Sequence, residues 1–285
     1  MSTLPSDQDQ GIGTLTSTAP LMEESVAEEA SSSLLFGIQQ ADLLALGTFN
    51  RLIFINAEAG RIVGFRRVQV PGVLLGIDFR PANGQLYGIT NERILYTIDP
   101  LTGQTLSSQA LSVPFDGGTL SGFDFNPVAD RLRLTGANDQ NFRVNVDTGD
   151  VIVDGTLNYV DDQAGTNPFI TASAYTNSLA GATSTQLFNI DFRLDQLVLQ
   201  NPPNDGGLVS IGSLGFNFGV IGGFDILTEG TINRGFLISG SDLYRVNLST
   251  GAATLVANLR GGPFLSLSFM PEPVSVSTAD LEPLP

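Results

Sequence analysis

Short runs of alternating apolar and polar residues recur along the chain, and each run ends in the same polar turn signal. The phrase consists of an apolar strand, Asn or Asp, two variable residues, a small residue and Gly, and its copies span residues 52–60, 95–103, 142–149 and 243–251. The alternation predicts strands. The Asx and Gly positions predict a hairpin, because Asx bonds its own backbone and Gly accepts a positive φ. The Asx positions lie 43, 46 and 102 residues apart, so one copy has degenerated in the longest interval.

A second phrase shows the order of the repeating units. Gly-Ile-Asp-Phe-Arg-Pro begins at Gly76 and is matched at Gly122, with weaker matches beginning at positions 172, 223 and 266. A third short strand lies between the two phrases in each unit. Each unit therefore contains four strands in about 45–50 residues, which is the length of one propeller blade.

The two ends of this array are incomplete in complementary ways. The last copy of the second phrase, 266–271, has no strands after it, and the strands predicted within 43–70 have no first strand before them. Joining both ends in one blade closes the ring and leaves no unpaired sheet edge between blades. We therefore predict an all-β, five-bladed β-propeller over residues 34–271, closed by N- and C-terminal strands that share one blade.

Two other architectures remain open from the pattern. A six-bladed propeller results if residues 34–40 supply an extra strand, and a β-sandwich explains the short strands but not their period. One unit is irregular, because a longer Pro/Asn/Gly turn at 201–207 replaces its Asx–Gly hairpin.

Composition narrows the chemistry that the chain can perform. All 13 basic residues of the 285 are Arg, and Lys, His, Cys and Trp are absent. These absences exclude a Ser/His/Asp triad, a thiol nucleophile, a disulfide, a Schiff base, and ordinary zinc, haem or iron–sulfur sites. No apolar run is long enough to span a membrane, and no secretory signal is visible. The default expectation is a cytoplasmic location.

The charge is concentrated at the ends of the chain. The formal net charge is −16, and residues 1–33 hold six acidic residues and no base, while residues 272–285 hold three acidic residues and no base. We predict two disordered acidic tails there, because these segments are also poor in aromatic residues. Such acidity argues against nucleic acid as a partner, since phosphate binding needs a basic face.

Several segments of the sequence are similar to one known family. The run 76–81 with the strand beginning at Gln85, the run 123–133, the segment 174–178 and the turn 200–204 together resemble the bacterial family named domain of unknown function 4394. The resemblance implies a β-propeller-like domain of unestablished biochemical role, so it carries over no catalytic residue. Many members of the family are exported, whereas this chain shows no signal.

Three acidic residues form the first candidate site. Asp78, Asp124 and Asp225 occupy equivalent positions on the predicted innermost strands, around the axis. Oxygen ligands of this kind suit Ca²⁺, and propellers that hydrolyse lactones or esters use such an acidic channel. However, Ala174 and Ser268 hold the same position in the other two blades, which leaves the ring of carboxylates incomplete. The structural alternative is that each Asp accepts backbone amides of a neighbouring blade.

A basic group forms the second candidate site. Alternation places Arg131 and Arg133 on one face of a strand, and Asn141 and Arg143 on one face of the next. Guanidinium groups bind carboxylate, phosphate or sulfate through two hydrogen bonds. The alternative is internal pairing with nearby acidic residues, for which the sequence offers Asp124, Asp130, Asp139 and Asp147.

These observations favour a non-enzymatic propeller that binds a ligand or a protein, or serves as a scaffold. Its expected partner is an unidentified protein or a small anionic ligand, with no cofactor, and we expect a monomeric domain. The alternative is a calcium-dependent hydrolase of lactones or esters that uses the three aspartates.

Overall fold

Twenty-one strands arranged in five sheets make up the fold of residues 40–118 and 120–271, the part of the chain that the computed structural model describes. The first strands of the five sheets contact one another in a closed ring, so the architecture is a five-bladed β-propeller. The prediction from the repeat is confirmed. The two predicted acidic tails and most of the strand that a sixth blade would need (34–39) lie outside the described residues.

The blades are numbered from the one that contains both chain ends, and their strands are given from the innermost to the outermost, with labels in chain order. Blade 1 contains β21 (Phe264–Phe269), β1 (Leu43–Gly47), β2 (Arg51–Asn56) and β3 (Arg61–Arg67); blade 2 contains β4 (Leu74–Phe79), β5 (Leu86–Thr90), β6 (Ile94–Ile98) and β7 (Thr105–Ala110); blade 3 contains β8 (Ser121–Asn126), β9 (Arg131–Gly136), β10 (Asn141–Val144) and β11 (Val151–Val153); blade 4 contains β13 (Ile170–Tyr175), β14 (Leu187–Asp191), β15 (Gln196–Gln200) and β16 (Gly207–Ser213), with β12 (Asn158–Tyr159) added outside; and blade 5 contains β17 (Gly222–Glu229), β18 (Ile232–Ser239), β19 (Asp242–Val246) and β20 (Ala253–Asn258).

The two chain ends close the ring in blade 1, as predicted. β21 pairs with β1 in antiparallel register, with Leu44 opposite Ser268 and Ala45 opposite Leu267. All five residues of β1 are buried, because this strand lies between β21 and β2 and both of its faces meet neighbouring blades. The closing contact is therefore a full strand pairing within the core.

Apolar side chains fill the spaces between neighbouring blades. Leu52 and Phe54 of blade 1 pack with Leu74 and Ile77 of blade 2 in one buried cluster. Similar clusters join blades 2 and 3, blades 4 and 5, and blades 5 and 1. Because each blade is covered on both faces, its inner strands are apolar on both faces instead of showing strict alternation.

The recurring Asx–Gly phrase forms the hairpin between the two outer strands of a blade. In blade 2 the Asp99 carboxylate accepts the Leu101 N–H at 2.9 Å, and Gly103 closes the turn with a φ of 75°. A Cβ atom at Gly103 would lie 2.3 Å from the carbonyl oxygen of Arg67 in the preceding blade. The glycine is therefore required both for the turn and for the contact between blades.

Blade 4 departs from the pattern. The segment 151–159 contains two strands: β11 ends blade 3, while β12 crosses over and pairs in parallel with β16 of blade 4. The turn 201–207 contains a three-residue 3₁₀ helix, Pro203–Asp205. No helix in the described part of the chain is long and apolar enough to cross a membrane.

Closure of the ring predicts a specific loss of stability. Leu267 is 2% exposed in the cluster between blades 5 and 1, so Leu267→Ala should lower the free energy of unfolding by roughly 2–5 kcal/mol. The matched control is Leu255→Ala on β20, where the side chain is 56% exposed and a change within about 0.5 kcal/mol is expected. Urea unfolding measures both variants. Equal stability of the two variants would contradict the closing role of β21.

Candidate functional site

The three predicted aspartates lie at equivalent positions near the propeller axis. Asp78, Asp124 and Asp225 are on β4, β8 and β17, and each is at most 5% exposed. Ala174 of β13 and Ser268 of β21 hold the same position in the other two blades. The side chains at this position are named here the axial acceptor ring.

Each polar member of the axial acceptor ring binds a backbone amide of the next blade. Oδ2 of Asp78 accepts the Phe125 N–H at 3.0 Å, and Oδ2 of Asp225 accepts the Phe269 N–H at 2.6 Å. At Asp124 the corresponding donor is the backbone N–H of Tyr175, which lowers the pKa of that carboxyl. The structural alternative considered for these aspartates therefore describes contacts that the fold makes, with strand amides as the donors.

Ser268 also accepts an amide of the next blade, and Asp225 supplies the acceptor that Ala174 lacks. Ser268 Oγ accepts the Phe79 N–H at 3.3 Å and donates to Asp78 Oδ1 at 2.6 Å. Ala174 has no acceptor to offer Ile226, and the Ile226 N–H instead donates to Oδ1 of Asp225 at 2.6 Å. The amides of Phe79, Phe125, Ile226 and Phe269 at this level thus each have a side-chain acceptor, although Ala174 offers none.

Burial shifts the protonation of the three carboxyls. Burial raises the pKa of Asp225 to about 6, against the lowering effect of amides from Phe269 and Ile226. Burial and then the negative charge of Asp225 raise the pKa of Asp78 well above its ordinary value. Burial and the charges of Asp78 and Asp225 raise the pKa of Asp124 likewise. The cluster therefore retains protons to a higher pH than exposed carboxyls do.

The donors around the cluster bear on the calcium alternative. Three of the four oxygens of Asp78 and Asp225 accept a backbone N–H, and the fourth accepts the Ser268 hydroxyl. Oδ1 of Asp124 is buried and has no such partner. Within the described residues, no group of three or more acidic, His or Cys side chains is placed to hold a metal ion. A calcium site at Asp78, Asp124 and Asp225 remains a sequence-based prediction.

A cavity of about 720 Å³ opens on the axis where the innermost strands end. Asp78 and Asp225 line its inner end, and its walls are formed by the loops after β4 and β13 together with the ends of β17 and β21. The lining also includes an apolar set and two more acidic residues: Ala41, Leu179, Ala180, Leu227, Met270, Asp42 and Glu229.

Arg80 is the basic residue of this cavity, and its charge is balanced from blade 3. Its Nε and Nη2 donate to Asp130 at 2.7 and 2.6 Å, and its Nη1 donates to Asp147 at 2.8 Å. These pairs raise the pKa of Arg80 and lower the pKa of Asp130. Arg80 thus links blade 2 to blade 3, a role that the sequence analysis missed although the residue stands within its second phrase.

The predicted basic group is organised around Arg133, which is 1% exposed. Its Nε donates to the Tyr175 hydroxyl at 3.2 Å, its Nη1 to Asn141 Oδ1 at 2.7 Å and to Asp154 Oδ2 at 2.6 Å, and its Nη2 to Asn204 Oδ1 at 2.9 Å. The guanidinium of this residue is therefore occupied by protein partners from blades 3 and 4.

Arg143 shares the same carboxylate. It lies directly opposite Arg133 in the β9–β10 register, and its Nε and Nη2 donate to the two oxygens of Asp154, both at 2.7 Å. Asp154 offsets the repulsion that two facing guanidinium groups would otherwise create. Neither of these two arginines forms an ion pair with the partners that the sequence analysis considered: Asp124, Asp130, Asp139 and Asp147.

The other two members of the basic group also make internal contacts. Arg131 Nη1 donates to the carbonyl oxygen of Asp130, and Asn141 Nδ2 donates to the carbonyl oxygens of Gly155 and Pro203. A role for Arg131, Arg133, Asn141 and Arg143 in binding an anion remains a prediction, and an anion would compete with these contacts.

Comparison with protein families gives one match. A family model described as "Domain of unknown function (DUF4394)" matches residues 51–268. No curated protein matches the chain.

Solved structures match the chain at low sequence identity. A protein of unknown function from Bacteroides caccae is 13% identical, with a TM-score of 0.40 over 75% of this chain and 72% of that one. A chain of a nidogen/laminin complex is 12% identical, with a TM-score of 0.50 over 81% of this chain and 99% of that one. A protein of unknown function from Bacteroides thetaiotaomicron VPI-5482 is 15% identical, with a TM-score of 0.49 over 80% of this chain and 60% of that one.

The arginine pair and Asp154 predict a large effect of one substitution. Asp154→Ala leaves Arg133 buried without its carboxylate, and should lower the free energy of unfolding by about 3–5 kcal/mol. Asp116→Ala breaks the exposed pair with Arg93 and should cost at most about 1 kcal/mol. Urea unfolding of both variants checks this, and a loss at Asp154 as small as at Asp116 would contradict the structural role.

The raised carboxyl pKa values predict how stability depends on pH. The folded state holds more protons than the unfolded state between about pH 4 and the raised pKa values, so stability falls as pH rises through that range. Asp124→Asn removes one such carboxyl and keeps an oxygen for the Tyr175 amide. Between about pH 5 and pH 8 this variant should therefore lose less stability than the unaltered chain does.

The control for this measurement is the exposed Asp162, whose replacement by Asn should leave the pH dependence unchanged. Urea unfolding at both pH values gives the comparison. A pH dependence identical in all three proteins would show that the axial carboxyls ionise as they do in the unfolded chain.

Proposed function

The chain belongs to the DUF4394 family, whose description assigns no activity, and from this premise we propose that it is a non-enzymatic binding propeller that holds an organic cation in its axial cavity. The observation that carries the proposal is the pair Asp78 and Asp225, two buried carboxyls at the inner end of a cavity whose arginine is already neutralised.

The size and walls of the cavity support a small organic ligand. Its volume of about 720 Å³ falls within the range of small-molecule sites, about 300–1,000 Å³. Leu179, Leu227 and Met270 provide apolar wall surface, while the carboxyls are confined to a few positions. An aliphatic chain or ring with a positively charged end fits such a cavity, with its apolar part against the walls and its charge at the inner end.

The charge of the lining supports a cation as that ligand. Arg80 binds Asp130 and Asp147, and Glu229 pairs with Arg234, so these charges are balanced locally. Asp78 and Asp225 have only neutral donors around them. An ammonium or guanidinium group donates charge-assisted hydrogen bonds to such carboxylates, and it stabilises their ionised form.

The available residue types support binding over catalysis. The chain contains no His, Cys or Lys, and so lacks the commonest general base and two of the commonest nucleophiles. The carboxyls at the inner end of the cavity hold neighbouring blades together through hydrogen bonds from backbone amides. These hydrogen bonds fix the positions of the carboxyl oxygens, which favours binding over catalysis.

The proposal predicts binding of small amines that depends on Asp225. Spermidine and argininamide, titrated by calorimetry, should bind, whereas succinate should not. Asp225→Asn should weaken amine binding at least about tenfold, because it removes the charge-assisted contact. Affinity should rise between about pH 5 and pH 7, because Asp225 ionises with a pKa of about 6.

Asp162→Asn, an exposed substitution outside the cavity, is the matched control and should bind amines as the unaltered chain does. Amine binding that is unchanged in Asp225→Asn would contradict the assigned site. Turnover of an ester or lactone by the unaltered chain, lost in Asp225→Asn with the fold intact, would contradict the non-enzymatic role.

A further inference from the structure

A cluster of arginines on the outer part of blade 1 stands apart from the rest of this acidic chain. Arg51 lies on β2, and Arg61, Arg66 and Arg67 lie on β3. These four arginines, together with Phe49 and Phe65, are called the basic surface of blade 1. Residues 40–70 contain only two acidic residues, whereas the whole chain has a formal net charge of −16.

The four guanidinium groups are not neutralised within the described residues. None of them forms an ion pair there, in contrast to Arg80, Arg133 and Arg143. Arg66 donates to the carbonyl oxygen of Leu101, and the others extend from exposed positions. The arginines of the cavity and of blade 3 thus bind carboxylates, while those of blade 1 remain available to one.

Two exposed aromatic side chains accompany these charges. Phe49 is 72% exposed and Phe65 is 58% exposed, and the Arg51 guanidinium lies 5.8 and 5.7 Å from their ring centroids. Phe49 also has a φ of 60°, an unfavourable conformation for a bulky residue, and its ring gains no burial in the core. The surface therefore offers aromatic and cationic groups together, beside the edge of β3 that pairs with no other strand of the described residues.

The chain itself arrives at this surface from a segment of complementary character. Gln40 is the first described residue; its carbonyl oxygen accepts Asn56 Nδ2 at 2.6 Å, and its side chain accepts a hydrogen bond from Arg61. The preceding residues include an apolar run followed, further back, by acidic residues: Leu34, Leu35, Phe36, Ile38, Glu23, Glu24, Glu28 and Glu29.

The lengths of the two partners match. Six extended residues span about 20 Å, so an extended segment between Leu34 and Gln40 would be as long as β3 is from Arg61 to Arg67. On such a path the apolar run would follow the outer edge of β3, and Glu28 and Glu29, a few residues before Leu34, would be within reach of Arg51 and Arg67.

We propose that residues 23–39 of this chain dock on the basic surface of blade 1. The apolar run covers Phe49 and Phe65, and the glutamates pair with the arginines. The proposal is independent of the axial cavity and of the cation assigned to it, so each can fail without the other.

A paramagnetic label tests this docking in the full-length chain. The chain has no cysteine, so Ser31→Cys gives a single site for a nitroxide label. Amide signals of β3 in the ¹⁵N-labelled protein should lose at least half of their intensity, while those of β7, the outer strand of blade 2, should not. Equal signal loss on β3 and β7 would overturn the proposal.

Charge reversal provides the matched variants. Arg61→Glu with Arg67→Glu should restore the β3 signals, and adding Glu28→Arg with Glu29→Arg should remove them again. Arg193→Glu, an exposed arginine of blade 4, should have no effect. Signal loss that survives the Arg61 and Arg67 reversal would contradict pairing with these arginines. Signal loss that appears only between mixed labelled and unlabelled molecules would assign the surface to a second copy and overturn docking within one chain.

Discussion

The peptide N–H groups that face the axis constrain this propeller more than any other set of atoms. Each innermost strand pairs with a neighbour on one side only, so its other edge meets the adjacent blades where buried polar groups need partners. Side chains of the axial acceptor ring meet that need, and three of them are carboxyls. The acidic axis, its raised pKa values and the character of the cavity all follow from this use of aspartate as an acceptor between blades.

Close approach of the innermost strands makes these contacts possible. Two residues before each ring position stands a small residue, and at three of the five positions it is Gly. A Cβ atom at Gly76 would lie 2.6 Å from that of Phe123, and one at Gly223 would lie 2.4 Å from the Leu267 nitrogen. The second sequence phrase, Gly followed two residues later by Asp, thus has two linked roles. The glycine allows neighbouring blades to approach closely, and the aspartate forms the hydrogen bond between them.

The sequence repeat predicted the features that are local and periodic. It did not predict the side-chain contacts that depend on how one strand or blade is placed against another. The 45–50-residue period sufficed for the blade count, the shared closing blade and the equivalence of Asp78, Asp124 and Asp225. It could not reveal that Asp225 serves the amide that Ala174 leaves unpaired, or that Asp154 joins Arg133 to Arg143. Both contacts arise from geometry across strands, as does the crossing of β12 into blade 4. Distance along the sequence carries no signal for them.

The shared closing blade also fixes where the ends of the fold emerge. The Met270 N–H donates to the carbonyl oxygen of Asp42, and both residues line the axial cavity together with Ala41 and Pro271. The two segments that continue the chain beyond the fold therefore begin at the rim of this cavity. A circular permutant opened in the linker between β3 and β4 would instead place the ends of the fold at residues that do not line the cavity.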